Sequence, residues 1–216
     1  MSPDKNAVTL FDFPNSSSSY RLRIALQMAG IDYDTVLVDL PTGQQRAPEH
    51  MARNPQGFVP VLDIDGLRLT QSMAILRYLD TTRGLGLLPE DPVERVKVEA
   101  LADAIAIDIH PVCNLQVVKY ATEISGDAEM RGKWSRHFMR PGMVAFEKML
   151  QGFEGGPFCC GDLPMLPDIC LMPQINNCRR WGVELDDLTK TMQAVAACEG
   201  VAAFQAAHPD NCPKPG

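Results

Sequence analysis

The stretch NSSSSYRLRIAL, residues 15–26, sets four hydroxyls directly before a run with helical spacing. Leu22, Ala25, Leu26 and Ala29 recur every three or four residues, and Gly30 supplies a stop. Upstream, AVTLFDF at residues 7–13 is rich in strand formers and ends at Pro14. A serine between a strand and a helix serves as an N-cap, because the first turn leaves backbone N–H groups unpaired. Several serines allow a second use. Helix N-termini favour negative charge and hydroxyls donate hydrogen bonds, so the cluster could hold an anion or stabilise a thiolate.

Three further features have chemical readings beside plain ones. Val59–Pro60 stands at the head of a strand, where a missing donor is tolerated. A cis bond there would leave the Val59 backbone to pair with an extended, peptide-like ligand. Gln71 and Ser72 precede the helical pattern SMAILRYLD. Ser72 is a natural N-cap, and the two together could hold a carboxylate at a helix start. His110, before Pro111 in DIHPVCNLQ, reads either as a polar-face histidine or as a site residue.

The elements that must position these residues fall into two kinds. Residues 1–84 read as strand, helix, strand, a long connection with a short helix, a hairpin and a helix. The hairpin strands, 60–64 and 67–70, flank Asp65–Gly66, a strong turn signal. Such an order predicts a small mixed α/β domain. Residues 85–92 are rich in glycine and proline and read as a linker. Residues 93–216 read as an all-helical domain. Its first long helix is expected to kink at Pro111, its second to be interrupted near Pro141–Gly142, and its third to end at Gly182.

Composition narrows the class. The 216 residues are 45% hydrophobic and 22% charged, as in an ordinary globular chain. The net charge of −7 argues against a general nucleic-acid or membrane-surface binder, while leaving room for a local basic pocket. No apolar run reaches membrane-spanning length, and the N-terminus does not read as a signal peptide. The seven cysteines include no C-x-x-C pair, and no cysteine–histidine group has zinc spacing. The expectation is a reduced, cytoplasmic chain with no metal site.

In this order, the elements resemble the glutathione transferase superfamily. Within it the chain resembles the zeta class, which includes maleylacetoacetate isomerase and the maleylpyruvate isomerases. The resemblance is carried by SSSSYRLRIALQMAGIDY, NPQGFVPVLDIDGLRLTQSMAILRYLD, LLPEDPVER, DIHPVCNLQVVKY, FCCGDLPMLPDICLMPQINNCRRWGVEL and AAFQAAHP. It implies a thioredoxin-like glutathione-binding domain followed by an all-helical one, and a homodimer.

The resemblance also implies roles. Ser16 and Ser17 would lie beside the glutathione sulfur, with Ser18 next to them. Arg21, Gln45, Val59 with Pro60, Gln71 and Ser72 match positions that hold the cofactor or neighbour it, and His110, Asn114, Leu115 and Gln116 a second-domain segment bordering the site. Arg21 and Arg180 are the candidate cations for a small dicarboxylate keto-acid substrate, Arg180 the better one. The implied reaction is thiolate addition to an activated double bond, rotation and elimination, which turns maleylacetoacetate into fumarylacetoacetate in tyrosine and phenylalanine catabolism. Alternatives are maleylpyruvate isomerisation, a transferase or dehalogenase acting on small α-halo acids, and a non-catalytic glutathione-binding protein.

The chain departs from the class at several points. Ser18 stands where a cysteine is usual, and Asn15 where an arginine is common. Leu115–Gln116 replaces the paired arginines of the maleylpyruvate branch, although His110 is like that branch. Met165 takes the place of the usual Ser or Thr cap, leaving Asp168 to oppose the dipole of the helix that follows.

Overall fold

The computed structural model describes residues 7–153 and 155–213. The strands are β1 (Thr9–Asp12), β2 (Asp34–Leu37), β3 (Val61–Ile64) and β4 (Leu67–Thr70). The α-helices are α1 (Ser17–Met28), α2 (Pro48–Arg53), α3 (Ser72–Arg83), α4 (Pro92–Asp103), α5 (Leu115–Ser125), α6 (Met130–Leu150), α7 (Leu166–Arg180), α8 (Thr189–Glu199) and α9 (Ala202–Ala206). Two compact units result. One runs to Leu85 and takes up the stretch from Ala202 onward; the other is Gly86–Val201.

The first unit is built on a sheet of order β2-β1-β3-β4. β1 pairs parallel with β2 and antiparallel with β3, and β3 pairs antiparallel with β4. The crossover from β1 to β2 is α1, which closes at Gly30 (φ 62°). There Gly30 N–H donates to the Gln27 carbonyl and Ile31 N–H to that of Leu26, a Schellman stop. The β3–β4 connection is Asp65 (φ 55°) and Gly66 (φ 75°), the left-handed pair of a type I′ turn. Leu10, Leu22, Leu26, Leu62, Ile75 and Leu79 are fully buried or nearly so, and give α1, α3 and the sheet a common apolar interior.

The stretch after Val201 corrects the expected division, which assigned 93–216 to one helical domain. Arg23 is the reason. Its guanidinium is buried, pairs with both oxygens of Asp12 at 2.8 and 2.9 Å, and donates to the Pro14 and Ala207 carbonyls. Tyr20 adds a bond from its hydroxyl to the Phe204 carbonyl. Buried charge is tolerated only when its donors are matched, and Ala207 completes the match. The expected linker at 85–92 is also shorter and better packed than its composition suggests. Leu87 is fully buried, and Asp91 already caps α4, accepting from Val93 and Glu94 N–H.

The second unit is helical, and of its two expected proline breaks the one at Pro111 forms and the one at Pro141 does not. Before Pro111 the chain widens into a π-helical turn, Ala104–Ile109, in which His110 N–H donates to Ile105 five residues back. Pro111 cannot donate and its ring would strike the preceding turn, so the helix loosens ahead of it and breaks. Asn114 then caps α5, its Oδ1 accepting from Gln116 N–H at 3.2 Å. The interruption expected at Pro141–Gly142 is absent: α6 runs through it. Met139, Met143 and Phe146 are fully buried on either side, and Gly142 faces Ile109 so closely that a Cβ would stand 2.5 Å from its side chain. Packing on both sides of the proline outweighs its local cost of about 3 kcal/mol.

Candidate functional site

Ser16 is the N-cap of α1. Its backbone is extended (φ −78°, ψ 119°), and its Oγ accepts from Ser19 N–H at 3.2 Å. The capping oxygen accepts, so the hydroxyl hydrogen of Ser16 remains a donor for something else. Ser16 and Ser18 are half-buried, while Ser17 is 7% exposed and Ser19 fully buried. The first turn of α1 contains no acidic residue. Its positive end is therefore not neutralised from within its own helix.

The start of α3 is tied to α1 through Arg21. This guanidinium is 2% exposed and donates from Nη1 to Ser72 Oγ at 3.2 Å. Arg21 is thus an interior group behind Ser72, which corrects its expected place as a cation presented to a substrate. Ser72 is likewise not the cap expected of it. It is the first helical residue of α3, and Gln71 occupies the cap position with φ 70° and ψ 100°. That left-handed backbone is costly for a residue with a side chain, and such conformations persist where the surroundings over-determine them. Gln71 Nε2 donates to Gln56 Oε1 at 2.7 Å.

Gln45 lies in a short 3-10 turn, Gln44–Arg46, next to the loop that leads into β3. Gly57 of that loop (φ 64°) sits so close that a Cβ would be 3.0 Å from the Gln45 carbonyl oxygen. Gln45 Oε1 is buried with no hydrogen-bond partner among the described residues. A buried acceptor left without a donor is costly. The Val59–Pro60 bond is cis, and both residues are buried just before β3. The first unit thus groups Gln45, Val59, Pro60, Gln71 and Ser72 around the 54–58 loop and the start of α3.

The remaining expected residues lie in the second unit. His110 closes the π-turn and is half-buried, Asn114 caps α5, and Gln116 is exposed in its first turn. Arg180 is the last residue of α7. It keeps part of its side chain in solvent, yet burial, and then the nearby charge of Arg131, hold its pKa below the usual arginine value. Arg131 stacks over the Trp181 ring with its guanidinium carbon 5.3 Å from the centroid. Reading the sequence missed Arg131, because no local pattern marks it. Three other residues, His50, Asn54 and Gln56, were missed although NPQGFVP sets two of them beside the Val–Pro pair.

Five of the seven cysteines are poor candidates for a nucleophile. Burial pushes the thiols of Cys113 and Cys178 up to about 11 and that of Cys160 to about 12. Cys159 and Cys198 are raised further by burial and by Asp168 beside them. At neutral pH these thiols stay protonated and poorly nucleophilic. Cys159 and Cys160 form a turn between the bridged residues Phe158 and Gly161, in line with their plain reading.

Residues 6–81 match the family model of the glutathione S-transferase N-terminal domain. The chain is 52% identical over 207 residues to the maleylacetoacetate isomerase of Rhizobium meliloti strain 1021, covering 95% of this chain and 97% of that one. Among solved structures, it is similar to the holo structure of a maleyl pyruvate isomerase described as a bacterial zeta-class glutathione S-transferase. That match has a TM-score of 0.92 at 34% identity and covers 96% of this chain and all of that one. It is also similar to the maleylacetoacetate isomerase of Anaeromyxobacter dehalogenans 2CP-1 with bound dicarboxyethyl glutathione and citrate. Here the TM-score is 0.84 at 35% identity, covering 96% of this chain and 93% of that one. Similarity of this extent over nearly the whole of both chains shows that the chain belongs to the zeta class of the glutathione transferase family.

Proposed function

We propose that the protein is a glutathione-dependent cis–trans isomerase acting on maleylacetoacetate. The observation that carries this reading is the acid-free start of α1, capped by Ser16, in a chain 52% identical to a maleylacetoacetate isomerase. Glutathione fits the residues present: the orphaned Gln45 Oε1 suits an N–H donor, and the start of α3 with Ser72 suits a carboxylate. When bound, glutathione supplies a thiolate that adds to the double bond beside the ketone, allows rotation about it, and leaves.

The chain's own residues do the rest. Free thiols have a pKa of about 8.5, so only a few per cent is ionised at neutral pH. Each unit of lowering corresponds to about 1.4 kcal/mol of preference for the thiolate. A hydroxyl donor at an unneutralised helix start supplies about one to two such units. Ser16 is the proposed donor: its oxygen accepts from Ser19 N–H while its hydrogen turns to the sulfur. Ser17 supports it from a more buried position, and Ser18 fills the place of the usual cysteine. Val59 pairs through its backbone with the cysteinyl unit. Gln71 and Ser72 take the γ-glutamyl end, with Arg21 holding Ser72. His110, Asn114 and Gln116 are assigned to the border of the site, and Arg180 to a substrate carboxylate.

The dicarboxyethyl glutathione bound by the Anaeromyxobacter relative supports the addition chemistry. It is the thioether formed when a thiol adds across a butenedioate. We also assign the protein to the cytoplasm, to aromatic amino-acid catabolism and to a homodimer; no helix among the described residues is long and apolar enough to cross a membrane. His110 and the maleyl pyruvate isomerase match favour a second reading, maleylpyruvate as substrate. An absorbance assay of both substrates, with and without glutathione, separates the two. Glutathione-dependent turnover that is faster on maleylacetoacetate is expected. Glutathione binding with no turnover of either substrate would overturn the reading.

A further inference from the structure

Two side chains converge on one backbone carbonyl next to Val59. His50 Nε2 lies 2.9 Å from the Phe58 oxygen, and Asn54 Nδ2 donates to the same oxygen at 3.0 Å. A carbonyl has two lone pairs, and both are taken. Since a carbonyl only accepts, Nε2 of His50 carries the hydrogen. The peptide is planar, so fixing the Phe58 C=O also fixes the Val59 N–H, which points the opposite way from the same plane. We infer that His50 and Asn54 are positioning residues that aim the Val59 amide at glutathione, an inference that rests on the functional reading above.

The rest of the loop is held to the same end. Asn54 Oδ1 accepts from Gln56 N–H at 3.1 Å, and the Asn54 carbonyl accepts from Gly57 N–H at 2.8 Å. The Gln56 carbonyl accepts from Arg46 at 3.1 Å, and its side chain from Gln71. The loop therefore links three proposed glutathione contacts, at Gln45, Val59 and Gln71. His50 and Asn54 are 2% and 3% exposed, at the inner end of this linkage. Stability alone does not account for an imidazole here. Its Nδ1 is buried with no partner among the described residues, a cost that an apolar side chain of similar size would avoid.

The test compares wild type with His50→Ala, His50→Gln and Asn54→Asp. Glutathione affinity is measured by titration calorimetry, and KM for glutathione and kcat by turnover at saturating substrate. Losing one of the two donors is expected to weaken glutathione binding and raise its KM about five- to tenfold, with kcat at saturating glutathione held within about twofold. Gln retains an N–H donor, so His50→Gln should restore most of the affinity. Asn54→Asp keeps the acceptor for Gln56 N–H but loses the donor to Phe58, and should behave like His50→Ala. Wild-type affinity in folded His50→Ala and Asn54→Asp would overturn the inference. If these variants do not fold, 15N-labelled wild type decides: glutathione must move the Val59 amide resonance, and an unmoved resonance contradicts the inference. Wild type that fails to bind glutathione at all overturns the functional reading instead.

Discussion

The first turn of α1 holds serines and no acid, whereas the first turn of α7 holds Asp168. Asp168 is fully buried and serves its own helix. Oδ2 accepts from Met165 N–H at 2.9 Å, Oδ1 from Cys159 N–H at 3.0 Å, and the Cys198 thiol lies 3.7 Å from Oδ1. The Ser or Thr that usually caps this helix is replaced by Met165, so the carboxylate and its donors carry the start of α7. In α1 the cap is Ser16, half-buried, and the first turn holds no carboxylate. One helix start is closed by the protein itself. The other carries no acid in its first turn, and in the proposed function its positive end meets a charge that arrives with a ligand.

Exchanging these properties gives the largest expected effects. Ser16→Ala should lower turnover about ten- to twentyfold at neutral pH through the thiolate, the loss of ionised thiol that follows when one to two pKa units of lowering are given up. It should also cost about 1 kcal/mol of stability through the lost cap. The fall in kcat should exceed any change in glutathione affinity, as steady-state kinetics and calorimetry on the same sample would show. Ser17→Ala should have the smaller effect; the reverse order would move the donor's role to Ser17.

Asp168→Asn tests the closed start. An amide cannot accept from both Met165 and Cys159 N–H, so the variant should lose about 2 kcal/mol of stability in urea denaturation, with kcat per folded molecule unchanged. The pH dependence has a definite sign. Burial, the largest influence, raises the Asp168 pKa in the folded chain despite the N–H groups that lower it. The folded state then holds this proton to higher pH than the unfolded chain, whose value is about 3.9. The group's contribution falls as pH rises from that value to the folded one. Asp168→Asn should remove that slope.

The smallest effect is expected at Asp65, an exposed carboxylate in the hairpin turn. The Tyr78 hydroxyl and then Arg83 hold its pKa below the usual carboxylate value. Its contribution is present above the unfolded pKa and is lost as pH falls through the folded one, the opposite sign to Asp168. Solvent screening limits Asp65→Asn to about 0.5 kcal/mol at neutral pH, measurable by the same denaturation series.

What the sequence disclosed divides along physical lines. The β1-α1-β2 unit and the hairpin were legible because their ends are local: Ser16 caps, Gly30 stops and Asp65–Gly66 turns. The helix through Pro141 was not, since Met139, Met143 and Phe146 are buried against partners remote in sequence, and Ile109 meets Gly142. The return of the C-terminal stretch to the first unit depends on Arg23, whose buried donors no periodicity reveals. The site residues were nameable by motif, but their orientation was not. Arg21 turns inward to Ser72, Gln71 takes a left-handed backbone, and the two donors on Phe58 depend on how the loop closes.

The central claim is that the start of α1 stabilises a thiolate, and the most direct measurement is the pKa of enzyme-bound glutathione. Thiolate ultraviolet absorbance would be followed against pH for wild type and Ser16→Ala. Free thiol titrates at about 8.5. Wild type should lower this by about one to two units, and Ser16→Ala should return most of that shift while still binding glutathione. A bound thiol that titrates at the free value in wild type, or one equally lowered in both proteins, would contradict it.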